Sequence, residues 1–291
     1  MAELVRVAAL TGYFQTMEAL GADPLPLLRE VGLSQALLTK PEQMISARAA
    51  MRLLDRSAEV TGCRTFGLRM APTRGLADFG VTSLLIQHEP TLREALSAFT
   101  RYRNLINPTL ILHFEDIGNG LLIRQNFTLR EAAASQQAID LALGAVVRLG
   151  VIVAGESWQP EMVCFTCETP PASELPIYHR VFRCPVEFNA ECNGIVVASR
   201  DLDLPTQRAD RALAEHARNL IEATMGTGRQ RLSQQVEQSL LLLLPSGHAT
   251  IQSQHTRGLP PHPHPQPDAP PGHRGGQRGG LPVPAGLPGL R

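Results

Sequence analysis

Residues 109–127 break the helical periodicity of the sequence on either side of them, and that break limits the fold more than any other feature. Thr109 to Phe114 and Gly120 to Phe127 are runs rich in β-branched and apolar residues. Asp116-Ile-Gly118-Asn119-Gly120 between them has the composition of a hairpin turn. The chain must therefore place an antiparallel hairpin inside an otherwise helical framework.

Ahead of the hairpin, apolar residues recur every three or four positions from Leu4 to Leu20, which predicts a helix ending at Gly21. Asp23-Pro24 opens a short second helix, Ser34 to Leu38 a further turn, and Ser46 caps a helix to about Thr61. Gly75 to Gln87 reads as one helix with Val81, Leu84 and Leu85 facing inward. Thr91-Leu-Arg-Glu94 is a capping box for a helix reaching Ile106. After the hairpin come a long helix from Glu131 to Val153, a strand from Met162 to Cys167 and a helix from Ala172 to Phe182. Strands at Pro185–Phe188 and Gly194–Ala198 and a helix from about Thr206 to Met225 complete the order. The expected class is α+β: an N-terminal helical cluster, an antiparallel sheet flanked by helices, then a helical connector.

Charge and chemistry narrow the function. Lys+Arg and Asp+Glu are each 27, so no field of the whole molecule draws in nucleic acid or an anionic membrane. The longest leucine run, Leu240 to Leu244, is far short of the roughly 20 apolar residues of a membrane span. A cytoplasmic protein with no membrane partner is expected. The five cysteines are odd in number and irregularly spaced, which favours free thiols over a disulfide framework. Cys164 and Cys167 form the one C-x-x-C. On a strand, residues three apart face opposite ways, so no metal or redox site is expected there. No nucleophile elbow, zinc helix or phosphate-cradling loop is present, and Glu115-Asp116 is a solvated turn, so no enzyme is expected.

The order of helix cluster, Phe66-Gly-Leu-Arg69, Glu89-Pro-Thr-Leu-Arg-Glu-Ala-Leu96, hairpin, long helix and Pro185-Val-Glu-Phe188 resembles one family. It is similar to the effector-binding N-terminal domain of AraC-type transcription regulators, in the arabinose-binding-like branch, over about residues 4–205. The resemblance implies a small-molecule effector, promoter DNA as a partner of the intact relative, and a homodimer reading paired half-sites. It also implies a DNA-binding part of two helix-turn-helix motifs, which this chain only begins. Leu232, Val236, Leu240 and Leu243 share one helix face, Pro245-Ser-Gly247 makes the turn, and Thr250 caps the next helix. The match stops after Ser253.

Residues 254–291 hold ten of the 23 prolines and eight of the 24 glycines, with no aromatic residue, and cannot bury enough apolar surface to fold. Two origins stay open: a genuine proline-rich interaction tail on a stand-alone ligand-binding module, or a GC-rich gene read out of frame. The second is favoured because the neighbouring frame over Gln266–Pro271 permits Ser-Arg-Thr-Leu-His-Arg, which resembles the family's recognition-helix signature. The expected organisation is a sensing domain at 1–205, a connector helix at 206–228, an incomplete helix-turn-helix at 229–253 and the tail. Specific DNA binding is then expected to be lost.

Arg101, Tyr102 and Arg103 at the end of a buried helix, with His113 and Arg124 on the hairpin, are the polar groups nearest apolar runs. Arginine's planar fork suits a carboxylate-bearing effector, which makes these five the expected effector-binding residues. The helix order also resembles, in topology alone, that of haem-dependent gas sensors. The helix from Thr91 to Ile106 lacks the histidine a haem iron needs, so no cofactor is expected.

Overall fold

A computed structural model describes residues 3–129 and 134–225. The scaffold residues Leu232, Val236, Leu240, Leu243 and Thr250 and the tail lie outside the described residues.

The N-terminal segment is not one helix. β1 (Leu4–Arg6) pairs antiparallel with β2 (Met44–Ser46), a 3-10 turn covers Val7–Leu10, and α1 (Tyr13–Ala19) follows. Gly12 sets the break. Its φ is +87°, a left-handed conformation, and a Cβ there would lie 2.1 Å from Thr73 Oγ1. Between them run α2 (Pro24–Glu30), whose N-cap Asp23 accepts from Leu25 N, and α3 (Gln35–Leu38), capped by Ser34. α4 (Ala47–Thr61) is capped by Ser46 as its sequence predicts.

Past α5 (Phe66–Met70), the expected helix from Gly75 to Gln87 is also two pieces: a 3-10 turn at Leu76–Phe79 and α6 (Thr82–Ile86), separated by Gly80 at φ +62°. The break turns its apolar face. Leu85 is buried, while Val81 and Leu84 are 41% and 49% exposed, contrary to the periodic expectation. α7 (Leu92–Arg101) starts on the capping box, with Thr91 Oγ1 accepting from Glu94 N, and α8 (Arg103–Ile106) continues it after a kink at Tyr102.

β3 (Leu110–Asp116) and β4 (Gly120–Phe127) form the expected hairpin, with Leu110 opposite Phe127. α9 (Gln136–Ala154) is capped by Ser135. β5 (Met162–Cys164), α10 (Leu175–Phe182), β6 (Val186–Glu187), β7 (Gly194–Ala198) and α11 (Ser199–Leu202) follow. The sheet order is β3-β4-β7-β5-β6, antiparallel except for the β5–β6 pair, which is parallel. β5 ends at Cys164, so Cys167 lies beyond the strand. Residues 211–225 form a last helix, α12. Thr206 to Asp210, expected to be helical, are instead non-helical and tied to the 88–90 segment by Thr206 N→Pro90 O and Asp210 N→His88 O.

Two apolar clusters fill the molecule, one under α1, α2, α4 and β1–β2, the other between the sheet, α7, α9 and α12. α9 belongs to both: Ala138 and Leu141 pack in the first, Ala142 through Val153 in the second. Among the described residues it is the one helix long and apolar enough to cross a membrane, with a mean hydropathy of 1.8, yet 72% of it is buried in the protein. The leucine-run criterion misses it because alanine, valine and glycine carry its apolarity.

α5 and α9 meet backbone to backbone. A Cβ on Gly67 would lie 2.0 Å from the Gln137 carbonyl oxygen; Gly67 N donates to Gln137 Oε1 at 2.9 Å and Gln137 Nε2 donates to Arg64 O at 2.6 Å. Helix propensity alone would make Gly67→Ala stabilising by up to about 1 kcal/mol. The contact reverses that sign: the variant is expected to lose about 2 kcal/mol, read as a lower urea midpoint, because rigid backbone must shift to admit the methyl.

One carboxyl sits inside this core. Asp140 on α9 is fully buried and accepts from Tyr178 Oη at 3.1 Å and Gln136 Nε2 at 2.7 Å. Burial pushes its pKa up to about 7, the two hydrogen bonds opposing. A raised carboxyl pKa makes the folded state the better proton acceptor. The stabilisation is complete below about pH 4, where the unfolded carboxyl is also protonated, and is lost as pH rises through the folded value. Stability is expected to fall by about 2 kcal/mol from pH 5 to pH 8 through this group. Urea midpoints of Asp140→Asn across that range should lack the decline.

Candidate functional site

The two clusters leave a gap where they meet on α9. The cavity there has a free volume of about 100 Å³, walled on one side by Val5, Leu10 and Leu54 and on the other by Phe79, Phe99 and Phe127, with Leu141 and Ala142 of α9 between. Its polar wall groups are Arg74, Asp78, Asn107 and Thr109.

These polar groups stitch the N-terminal segment to the 74–80 turn. Arg74 Nη1 donates to Ala8 O at 2.6 Å and Nη2 to Ala9 O. Asp78 accepts from Thr11 Oγ1 at 2.6 Å and from Gly75 N at 2.8 Å. Buried Arg6 donates to the Asp78 carbonyl at 3.0 Å and pairs with Glu42. Burial lowers the Arg74 pKa to about 10; the Asp78 charge opposes this and Arg6 adds to it. The guanidinium thus stays charged at neutral pH. On the far wall, Asn107 Oδ1 accepts from both Thr109 N and Thr109 Oγ1.

The five residues expected to bind effector do not gather in this cavity, and none lines it. Arg124 donates to Glu115 at 2.7 Å on the exposed face of the hairpin, opposite exposed His113 in register. Arg103 donates to Pro108 O at 3.0 Å. Arg101 and Tyr102 hold α12: both donate to Glu222 Oε1, at 2.8 and 2.9 Å, with Arg101 over the Tyr102 ring. Sequence periodicity placed Arg101 and Tyr102 at the end of a buried helix, but could not show that an acid 120 residues downstream would claim their polar groups. Nor did it single out Arg74, which reads as one more arginine beside a glycine.

α12 is anchored at its other end as well. Ala214, Ala217 and Ile221 enter the second cluster, Arg218 donates to buried Glu89 at 2.7 Å, and Thr206 Oγ1 donates to the Glu89 carbonyl at 2.7 Å. One helix thereby carries both features. α7 presents Phe99 to the cavity and, at its C-cap, Tyr102 to Glu222.

An apolar chamber thus lies under an α+β scaffold, with a helix latched over the same layer. The family model described as the arabinose-binding domain of AraC transcription regulators, N-terminal, matches residues 21–206, and the chain belongs to that family. The HTH-type transcriptional regulator VirS of Mycobacterium tuberculosis, from strains CDC 1551 and H37Rv, is 26% identical over 255 residues, 87% of this chain and 74% of VirS. A crystal structure of the transcriptional regulator CdpR from Pseudomonas aeruginosa aligns at TM-score 0.46 and 16% identity. That alignment covers 67% of this chain and 59% of CdpR.

Neutralising the shared acceptor should loosen α12 and little else. In Glu222→Gln, amide exchange within residues 211–225 is expected to speed by about tenfold, the scale of one charge-assisted hydrogen bond, while exchange in α9 stays as it was. Uniform acceleration across both helices would show that the latch is not a local device.

Proposed function

We propose that this chain is the sensory part of an AraC-type transcription regulator, in which a small effector enters the chamber between the two clusters and α7 relays its presence to α12. The observation that carries the reading is the double duty of α7, with Phe99 on the chamber and Tyr102 on the latch three residues apart. An effector that displaces Phe99 changes the seat of Tyr102, and with it the balance between docked and released α12. In the sequence, this helix precedes the segment 229–253 that carries the expected helix-turn-helix residues. Such a regulator works in the cytoplasm, where its promoter is.

Self-association fits the same reading. α12 exposes Leu213 and Leu220, seven residues apart and so on one side, while Ala214, Ala217 and Ile221 face the core. Light scattering should show a dimer at micromolar concentration and a monomer for Leu213→Glu/Leu220→Glu.

This 291-residue form is proposed not to hold an operator specifically. Base readout needs a recognition helix in the groove, and the sequence past Ser253 offers only Arg257, Arg274, Arg278 and Arg291, dispersed among prolines and glycines. A mobility-shift assay on the gene's upstream region with excess competitor DNA should give no specific complex. A specific shift would overturn the loss of DNA binding, and recovery after a one-nucleotide frame correction near the Ser253 codon would support it.

A further inference from the structure

We propose that the chamber takes a compact apolar carboxylate, with a body the size of a benzene ring or a short alkyl chain, and that Arg74 meets its charge. This rests on the sensing reading above and names its effector class.

The first argument is charge. Arg74 is 8% exposed and lies in the chamber wall. Its Nη1 and Nη2 donate to backbone carbonyls, its Nε has no partner, and it forms no ion pair among the described residues. Asp78, whose charge it feels, commits its two carboxylate oxygens to Thr11 and to the Gly75 N–H. A guanidinium kept in an apolar interior whose hydrogen bonds go only to neutral carbonyls is costly, and an anion brought into contact with it offsets that cost. Asn107 supplies a second donor: its Oδ1 is taken by Thr109, which leaves the amide N–H groups for a carboxylate oxygen.

The second argument is shape and polarity. About 100 Å³ is of the order of the ~150 Å³ apolar cavity that admits benzene. Apart from the four polar residues, aliphatic and aromatic side chains form the wall. A pentose would bury several hydroxyl groups against them with no partners, each at a cost of about 1–3 kcal/mol. Despite the family's description, the lining selects against a sugar and for a molecule with one charged end.

Isothermal titration of the full chain with benzoate, benzyl alcohol and L-arabinose tests this. Benzoate should bind, benzyl alcohol about tenfold more weakly or worse, and arabinose not at all. Arg74→Gln should lose about tenfold for benzoate and leave benzyl alcohol unchanged. Because Arg74 also holds the Ala8 and Ala9 carbonyls, Ala142→Leu provides an independent check: it fills the chamber from α9 and should abolish benzoate binding with the circular dichroism intact. Benzyl alcohol binding as tightly as benzoate, arabinose binding, benzoate binding that survives Ala142→Leu, or no heat from any probe would each overturn the proposal. The sensing reading fails on a separate result: no small molecule in a chemically broad panel alters amide exchange in residues 211–225.

Discussion

The approach of α5 to α9 governs the arrangement of this protein. With no side chain at Gly67, the α5 backbone lies against the Gln137 carbonyl, and the Gln137 side chain binds α5 at both ends through Gly67 N and Arg64 O. Gly144 repeats the device one segment on, where a Cβ would lie 2.4 Å from that of Ala71. Two glycines on opposite helices thus let α5 and its following turn dock along α9 at closer range than ordinary side chains permit. Since α9 is the element shared by both apolar clusters, this docking sets where the N-terminal cluster sits over the sheet layer.

The chamber follows from that placement. Two separately packed clusters joined along one helix leave room at the seam, and small residues on α9, Ala138, Ala142 and Ala145, keep it open on that side. The seam is bridged by polar ties: Arg74 to the 8–9 carbonyls, Asp78 to Thr11, Arg6 to the 78 carbonyl. Such ties break at lower cost than an interdigitated core reorganises. α12 uses the same economy on the other side of α7, with three small or branched residues inserted and charge pairs at Glu89 and Glu222.

The features legible in the sequence were those encoded within a few residues. Ser46 and Thr91 act as caps where the pattern places them. The hairpin forms where its turn composition places it, and the order of elements was enough to show the family resemblance that the match over residues 21–206 bears out. Local signals failed at Gly12 and Gly80. Their flanking apolar periods run on unbroken, yet a positive φ at each splits an expected helix in two and leaves Val81 and Leu84 facing outward.

What tertiary structure alone decided is which partner each charged group would find. Arg101, Tyr102, Arg74 and Asp140 lie on apolar helices or beside glycines, and nothing within a helical turn distinguishes a latch from a wall group or a buried acid. Their roles depend on residues 60 to 120 positions away: Glu222 for Tyr102, Ala8 for Arg74, and for Asp140, at a shorter separation, Tyr178. The sequence by itself determined the periods, the caps and the α+β class, because those depend on backbone preferences and on neighbours three or four residues apart. The chamber and the latch depend on two clusters meeting along α9, a long-range arrangement for which no local pattern carries a signal.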